Sequence, residues 1–200
     1  MKRFGTLSGI AAPVAKVSRL QAGDKRSGGR DFRVRFQRGA FEGVARCQLL
    51  YAIQIPIWVN HQQCVVGHVV AMRETLEGLH FTADVHDDER GRLLPQICFT
   101  HACPIDAAGV SFALPCSIGV DGDYLETQTH GDLVRRYWEV TRVREISILT
   151  WESEGLFDQA RMSFQLEQSG DPDVDSLRNW THSRSDDDGL LPPGWGSKGG

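Results

Sequence analysis

The sequence lacks the cysteine spacing of a zinc ribbon or a disulfide framework. Its five cysteines are an odd number and include no Cys-x-x-Cys pair, which favours a reducing, intracellular setting. A glycine-rich phosphate loop, a heptad run and an internal repeat are also missing. The longest apolar stretch, residues 49–59, contains Gln54 and Pro56 and is too short to span a bilayer. We therefore expect no membrane span, no cofactor and no bound metal.

The sequence also lacks the excess of positive charge that would attract nucleic acid. The chain has 22 Lys and Arg residues against 26 Asp and Glu residues, a net charge of −4, so no nucleic-acid partner is expected. Acidic residues accumulate toward the end, where Asp186, Asp187 and Asp188 precede a segment rich in glycine and proline. Such a composition cannot bury enough apolar surface to fold. The sequence predicts a folded domain over residues 1–168 and a flexible acidic tail over residues 169–200.

Alternation of apolar and polar residues dominates the predicted domain. Residues 51–59 place five apolar side chains on one face of a strand, and residues 79–85 place four on another. Further strands are predicted at residues 4–15, 32–36, 65–72, 110–118, 137–150 and 162–166, and helices at residues 39–49 and 88–102. The predicted fold is mainly β (α+β), a small closed or partly closed antiparallel β-barrel with a few peripheral helices.

Three polar residues in or beside predicted strands are candidates for chemistry. His61 follows an apolar strand at a polar turn, Ser111 lies among small and apolar residues, and Glu145 lies opposite Ile146 and Ile148 in a strand pattern. A serine hydroxyl becomes a good nucleophile when an imidazole accepts its proton, and a carboxylate can fix the tautomer of that imidazole. From the residues alone, such a set is more often a strand hydroxyl, a turn histidine and a carboxylate paired with a neighbouring arginine, here Arg142 or Arg144.

Two other groupings compete with this interpretation. His80, Asp84 and His86 alternate along one predicted strand face, in a pattern that suits either a metal site or an ordinary exposed face. Cys64 and Cys116 are alternative thiol nucleophiles, and Cys64 lies three residues after His61.

Four short motifs follow one another along the sequence: Gly39-Ala40-Phe41, Asn60-His61, Ser111-Phe112 and Glu145-Ile146-Ser147. In this order they resemble the motifs of the prohead (capsid maturation) serine proteases of tailed phages. That family has a Gly-Ala-Phe element, an Asn-His before a turn, a Ser-Phe nucleophile strand and a later Glu-x-Ser strand. The resemblance covers about residues 4–166.

The resemblance implies a fold similar to the herpesvirus assemblin proteases. It also implies an endopeptidase that cleaves the scaffold region of capsid proteins, and itself, inside the prohead in the bacterial host cytoplasm. Ser111 would be the nucleophile, His61 the general base and Glu145 the third member. The implied partners are a capsid protein or scaffold peptide as substrate and a second copy of the chain in a homodimer.

The sequence departs from the family pattern in three places. Residues 151–155 replace the Pro-Ala that usually follows the last strand, residues 96–104 stand in place of the usual helix with its charged turn, and Ala113 replaces the usual glycine. These departures leave open a catalytically inactive relative that binds capsid or scaffold during assembly. A third alternative is a β-rich binding domain unrelated to phages.

Overall fold

The computed structural model describes residues 3–23, 25, 28–95, 103–104, 112–150 and 155–166. All of them belong to one unit of the chain, Met1–Glu167. The predicted tail, residues 169–200, lies outside the described residues, and the boundary at residue 168 stays a prediction. The described strands are β1 (Arg3–Pro13), β2 (Phe32–Phe36), β3 (Ile55–Val59), β4 (Gln62–Glu74), β5 (Gly78–His86), β6 (Cys103–Pro104), β7 (Phe112–Thr129), β8 (Asp132–Ile148) and β9 (Arg161–Leu166), with helix α1 at Glu42–Tyr51 and a short 3-10 helix at Gly91–Leu93.

Seven of these strands close into a barrel in the order β8-β3-β4-β5-β1-β9-β7, and β7 returns to β8. The predicted mainly β barrel is thus confirmed. Strand directions cannot alternate all the way around a closed ring with an odd number of members, so at least one neighbouring pair must be parallel. That pair is β3 and β8, and the other six contacts in the ring are antiparallel.

The core lies inside the barrel, where alternate strand residues meet. In β5 the apolar residues Leu79, Phe81, Ala83 and Val85 are all buried, as their alternation predicts. On β8 the buried core residues near the end of the strand are Ile146 and Ile148. The opposite, outer face of β8 at this end carries Glu145 and Ser147.

Four aromatic rings hold β2 and α1 against the barrel. The ring centroid of Phe36 in β2 lies 4.7 Å from that of Phe41, 5.4 Å from that of Tyr137 and 5.8 Å from that of Phe157. The rings are tilted by 40 to 48°, a geometry that aromatic pairs favour. Phe36 is fully buried, so it is the centre of this cluster.

Helix α1, predicted at residues 39–49, begins later, at Glu42, and ends later, at Tyr51. Strand β3 is shorter than predicted. The helix continues to Tyr51, and Ala52 then adopts a left-handed conformation (φ 47°) that ends it. The apolar alternation at residues 51 and 53 is therefore not part of a strand, and both Tyr51 and Ile53 are exposed. Among the described residues, no helix is long and apolar enough to cross a membrane.

The predicted helix at residues 88–102 is also wrong at its start. The Asp88 carboxylate accepts a hydrogen bond from the backbone N–H of Gly91, at 2.8 Å, and a 3-10 helix begins only there. Residues 96–102 lie outside the described residues. The hairpin formed by β7 and β8 is far longer than predicted and reaches its turn at His130 and Gly131.

Loss of the aromatic ring of Phe36 should destabilise the fold strongly. Phe36→Ala leaves a cavity among three rings, and we expect it to lower the free energy of unfolding by about 3 to 5 kcal/mol, measured by urea denaturation. Leu76→Ala is the matched control, because Leu76 is 77% exposed and its loss should change stability by less than about 0.5 kcal/mol. Equal effects of the two substitutions would contradict the assignment of Phe36 to the core.

Candidate active site

His61 lies in a strained turn. Val59 pairs with Gln62, so Asn60 and His61 form a two-residue hairpin turn between β3 and β4. Both residues have positive φ, 51° for Asn60 and 58° for His61, which is the signature of a type I′ turn. The second position of this turn usually holds glycine, as Gly131 does in the hairpin between β7 and β8. A histidine at this position costs backbone energy, and such strain is typical of functional sites.

The turn is fastened to the end of β8. The Asn60 side-chain amide donates to the hydroxyl of Thr150 at 2.9 Å, and the backbone N–H of Thr150 donates to Asn60 Oδ1 at 2.9 Å. The backbone N–H of Asn60 also donates to the carbonyl of Ile148 at 2.8 Å. These three bonds offset the strain and fix the direction in which His61 leaves the turn.

His61 and Glu145 are in direct contact. His61 Nδ1 lies 3.0 Å from Glu145 Oε1. Because a carboxylate can only accept, Nδ1 donates in this bond, and in the neutral imidazole Nε2 then carries the lone pair. No hydrogen bond to Nε2 occurs among the described residues. The His61 side chain is 47% exposed and that of Glu145 only 6%, so a buried carboxylate holds an imidazole that faces solvent.

Space for the carboxylate comes from a glycine on the neighbouring strand. Gly119 of β7 pairs with Glu145 of β8. A Cβ atom at Gly119 would lie 2.5 Å from Glu145 Oε1, the oxygen that contacts His61. The absence of a side chain at this residue therefore allows the carboxylate to lie flat against β7.

A β-bulge lies beside the same pair. The register passes from Gly119–Glu145 to Val120–Val143, so Arg144 has no partner residue on β7. Without the bulge, Arg144 would share the inner face with Ile146 and Ile148. With it, Val143 takes the buried position and the Arg144 side chain is 56% exposed. Bulges beside active sites commonly redirect a side chain in this way.

Ser147 completes the group. Its hydroxyl lies 2.6 Å from Glu145 Oε2, and the backbone N–H of His61 lies 3.2 Å from the same hydroxyl oxygen. The sequence analysis placed Asn60 and Ser147 only within motifs, without a role, and did not select Gly119. The available signals were a hydroxyl residue two positions after the candidate carboxylate and an Asn-His pair at a strand end.

Of the three predicted site residues, the structure brings His61 and Glu145 together. Ser111 lies outside the described residues, so its role as nucleophile stays a prediction. Glu145 does not pair with Arg144, whose guanidinium lies beside Asp121 and the carbonyl of Val120.

Among the described residues, His80, Asp84 and His86 do not form a metal site. No group of three or more His, Cys, Asp or Glu side chains there could hold a metal ion. His86 instead contacts His68, with Nε2 and Nδ1 2.7 Å apart. Burial, together with His86, lowers the pKa of His68. The pair is consistent with a hydrogen bond that needs at least one neutral imidazole.

The alternative thiol nucleophile Cys116 is unsuited to the role. It is fully buried and donates to the carbonyl of Ile10 at 3.3 Å. Burial raises the pKa of this thiol to about 12, although Arg161 acts in the opposite direction. The reactive thiolate is therefore not accessible at neutral pH. Cys64 is a free, half-buried thiol in β4.

Comparisons with known proteins found similarity to solved structures. Two solved structures of KSHV protease are similar to this chain. One, in complex with a hexapeptide phosphonate inhibitor, has 10% identity and a TM-score of 0.42 and covers 90% of this chain and 77% of its own. The other has 9% identity and a TM-score of 0.44 and covers 91% of this chain and 75% of its own. No family model and no curated protein matches the sequence. Such low identity and TM-scores say nothing about which residues form the site.

Two substitutions at His61 should separate turn strain from side-chain contacts. His61→Gly and His61→Ala both remove the imidazole, but only alanine carries a Cβ in the left-handed region. We expect His61→Gly to be more stable than His61→Ala by about 1 kcal/mol, measured by thermal or urea unfolding. Equal stability of the two variants would contradict the type I′ conformation.

Proposed function

We propose that this chain is a serine endopeptidase that cleaves the scaffold region of phage capsid proteins, and itself, during prohead maturation. The observation that carries the proposal is the contact between His61 and the buried Glu145. Two residues selected as members of one catalytic unit, 84 positions apart in sequence, lie within hydrogen-bond distance. The ordered motifs of the phage prohead proteases support the choice of reaction and substrate.

The chemistry assigns one task to each residue. Ser111 Oγ attacks the scissile carbonyl carbon while His61 Nε2 takes the hydroxyl proton. Glu145 keeps the Nδ1–H tautomer, so that Nε2 is free to accept, and stabilises the imidazolium that forms. His61 returns the proton to the leaving amine as the peptide C–N bond breaks, and water then hydrolyses the acyl-enzyme by the reverse sequence of proton transfers.

The proposed substrates are the scaffold segment of a capsid protein and the acidic tail of this chain. Both would be reached inside the prohead in the host cytoplasm, with the protease acting as a homodimer. The alternative, an inactive relative that binds capsid or scaffold, is motivated by Ala113 in place of the usual glycine.

Removal of each member of the unit should abolish cleavage. We expect Ser111→Ala to lower kcat by about 10⁶-fold and Glu145→Gln by about 10⁴-fold, because the amide cannot hold the required tautomer in the same way. The measurement is the intact mass of the purified chain and of a co-expressed capsid precursor. Identical processing with Ser111→Ala and with the unmodified chain would contradict the protease and favour the binding module.

A methyl group at Gly119 should disturb the site without changing any of its proposed catalytic residues, and less strongly than a change in those residues. Gly119→Ala would push Glu145 Oε1 away from His61, and a displacement of 1 Å costs about 100-fold in rate. Gly43→Ala is the matched control, because a Cβ at Gly43 meets nothing within 4 Å. Cleavage rates that are equal in the two variants would show that the Gly119 gap is not needed.

A further inference from the structure

We propose that Ser147 is a positioning residue of this site, with one hydroxyl that fixes both the Glu145 carboxylate and the His61 turn. The inference rests on the proposed function for its kinetic consequence. The positioning role itself is argued from contacts among the described residues. It can be measured without any cleavage assay.

The direction of each hydrogen bond is determined. The hydroxyl oxygen accepts from the backbone N–H of His61 at 3.2 Å, since a backbone amide can only donate. The hydroxyl proton then points to Glu145 Oε2 at 2.6 Å, since a carboxylate can only accept. Ser147 therefore uses its acceptor and its donor at the same time, and each partner contributes to a different part of the site.

Because Ser147 is buried, its hydrogen bonds to Glu145 and to the His61 backbone are not readily replaced by bonds to water. Ser147 is fully buried and Glu145 is 5% exposed, so water cannot easily replace the hydroxyl. Glu145 Oε1 is bonded to His61 and Oε2 to Ser147, which leaves the carboxylate little freedom to rotate. Loss of the hydroxyl would leave a buried carboxylate oxygen without its donor, and such a group reorients toward another partner when it can.

The same hydroxyl also opposes the strain of the turn. The amide that it accepts belongs to His61 itself, the residue at φ 58°. Asn60 holds the turn to the end of β8 through Thr150 and Ile148, whereas Ser147 holds it at the histidine. Ser147 thus sets the distance between the backbone that carries the imidazole and the carboxylate that orients it.

The test compares three variants. Ser147→Ala removes both bonds, and Ser147→Cys keeps a similar volume with a weak donor. The matched control is Ser117→Ala, because Ser117 pairs with Ser147 on β7 and is similarly buried, at 6% exposed. No side-chain hydrogen bond of Ser117 occurs among the described residues.

Two measurements are needed. If Ser147 only stabilised the fold, its substitution would change neither of them. In the kinetic readout, we expect Ser147→Ala to lower kcat by about 10- to 100-fold with KM within twofold, because remote misplacement affects the transition state. Ser147→Cys should fall between Ser147→Ala and the unmodified chain. In the second readout, ring ¹⁵N shifts at about pH 8 should show the Nδ1–H tautomer of His61 in the unmodified chain and a mixture of tautomers in Ser147→Ala.

The two failures are distinguishable. A kcat and a His61 tautomer in Ser147→Ala that match those of Ser117→Ala would overturn the positioning role. If the unmodified chain cleaves nothing, the proposed protease fails, and the ring ¹⁵N shifts still decide whether Ser147 orients the pair. If Ser147→Ala does not fold, the same comparison is made with Ser147→Cys.

Discussion

The buried carboxylate of Glu145 is the constraint on which the rest of the site depends. A charge removed from water is costly unless hydrogen bonds replace its hydration. The imidazole of His61 and the hydroxyl of Ser147 provide those bonds at 3.0 and 2.6 Å, and Gly119 provides the space. The carboxylate in turn fixes one tautomer of an exposed imidazole, which is what a general base requires.

Barrel topology explains why these residues meet. With seven strands in the ring, β3 and β8 run parallel, so their carboxyl ends lie at the same edge of the barrel. His61 follows the end of β3, and Ser147 lies near the end of β8. In an antiparallel pair the two ends would be at opposite edges. The single parallel contact of the ring therefore places a turn of one strand against the polar outer face of the other.

The sequence predicted most strands because alternation of apolar and polar residues is a local signal, and in β5 this alternation is complete. His61 and Glu145 were selected from short motifs that resemble those of the prohead proteases, and the structure places these two side chains in contact. The bulge at Arg144 and the gap at Gly119 could not be predicted, since both depend on the register between distant segments. The long hairpin was missed because Gly119, Asp121, Gly122 and Asp123 resemble a turn in sequence, whereas they lie within β7.

The most direct measurement is covalent labelling of the unmodified chain with a fluorophosphonate, followed by peptide mass spectrometry. Such a reagent reacts with a serine only when a neighbouring base activates it. We predict a single adduct on Ser111 that is lost in His61→Ala. Absence of an adduct in the folded chain, or labelling that persists in His61→Ala, would contradict the proposal that His61 and Glu145 activate Ser111.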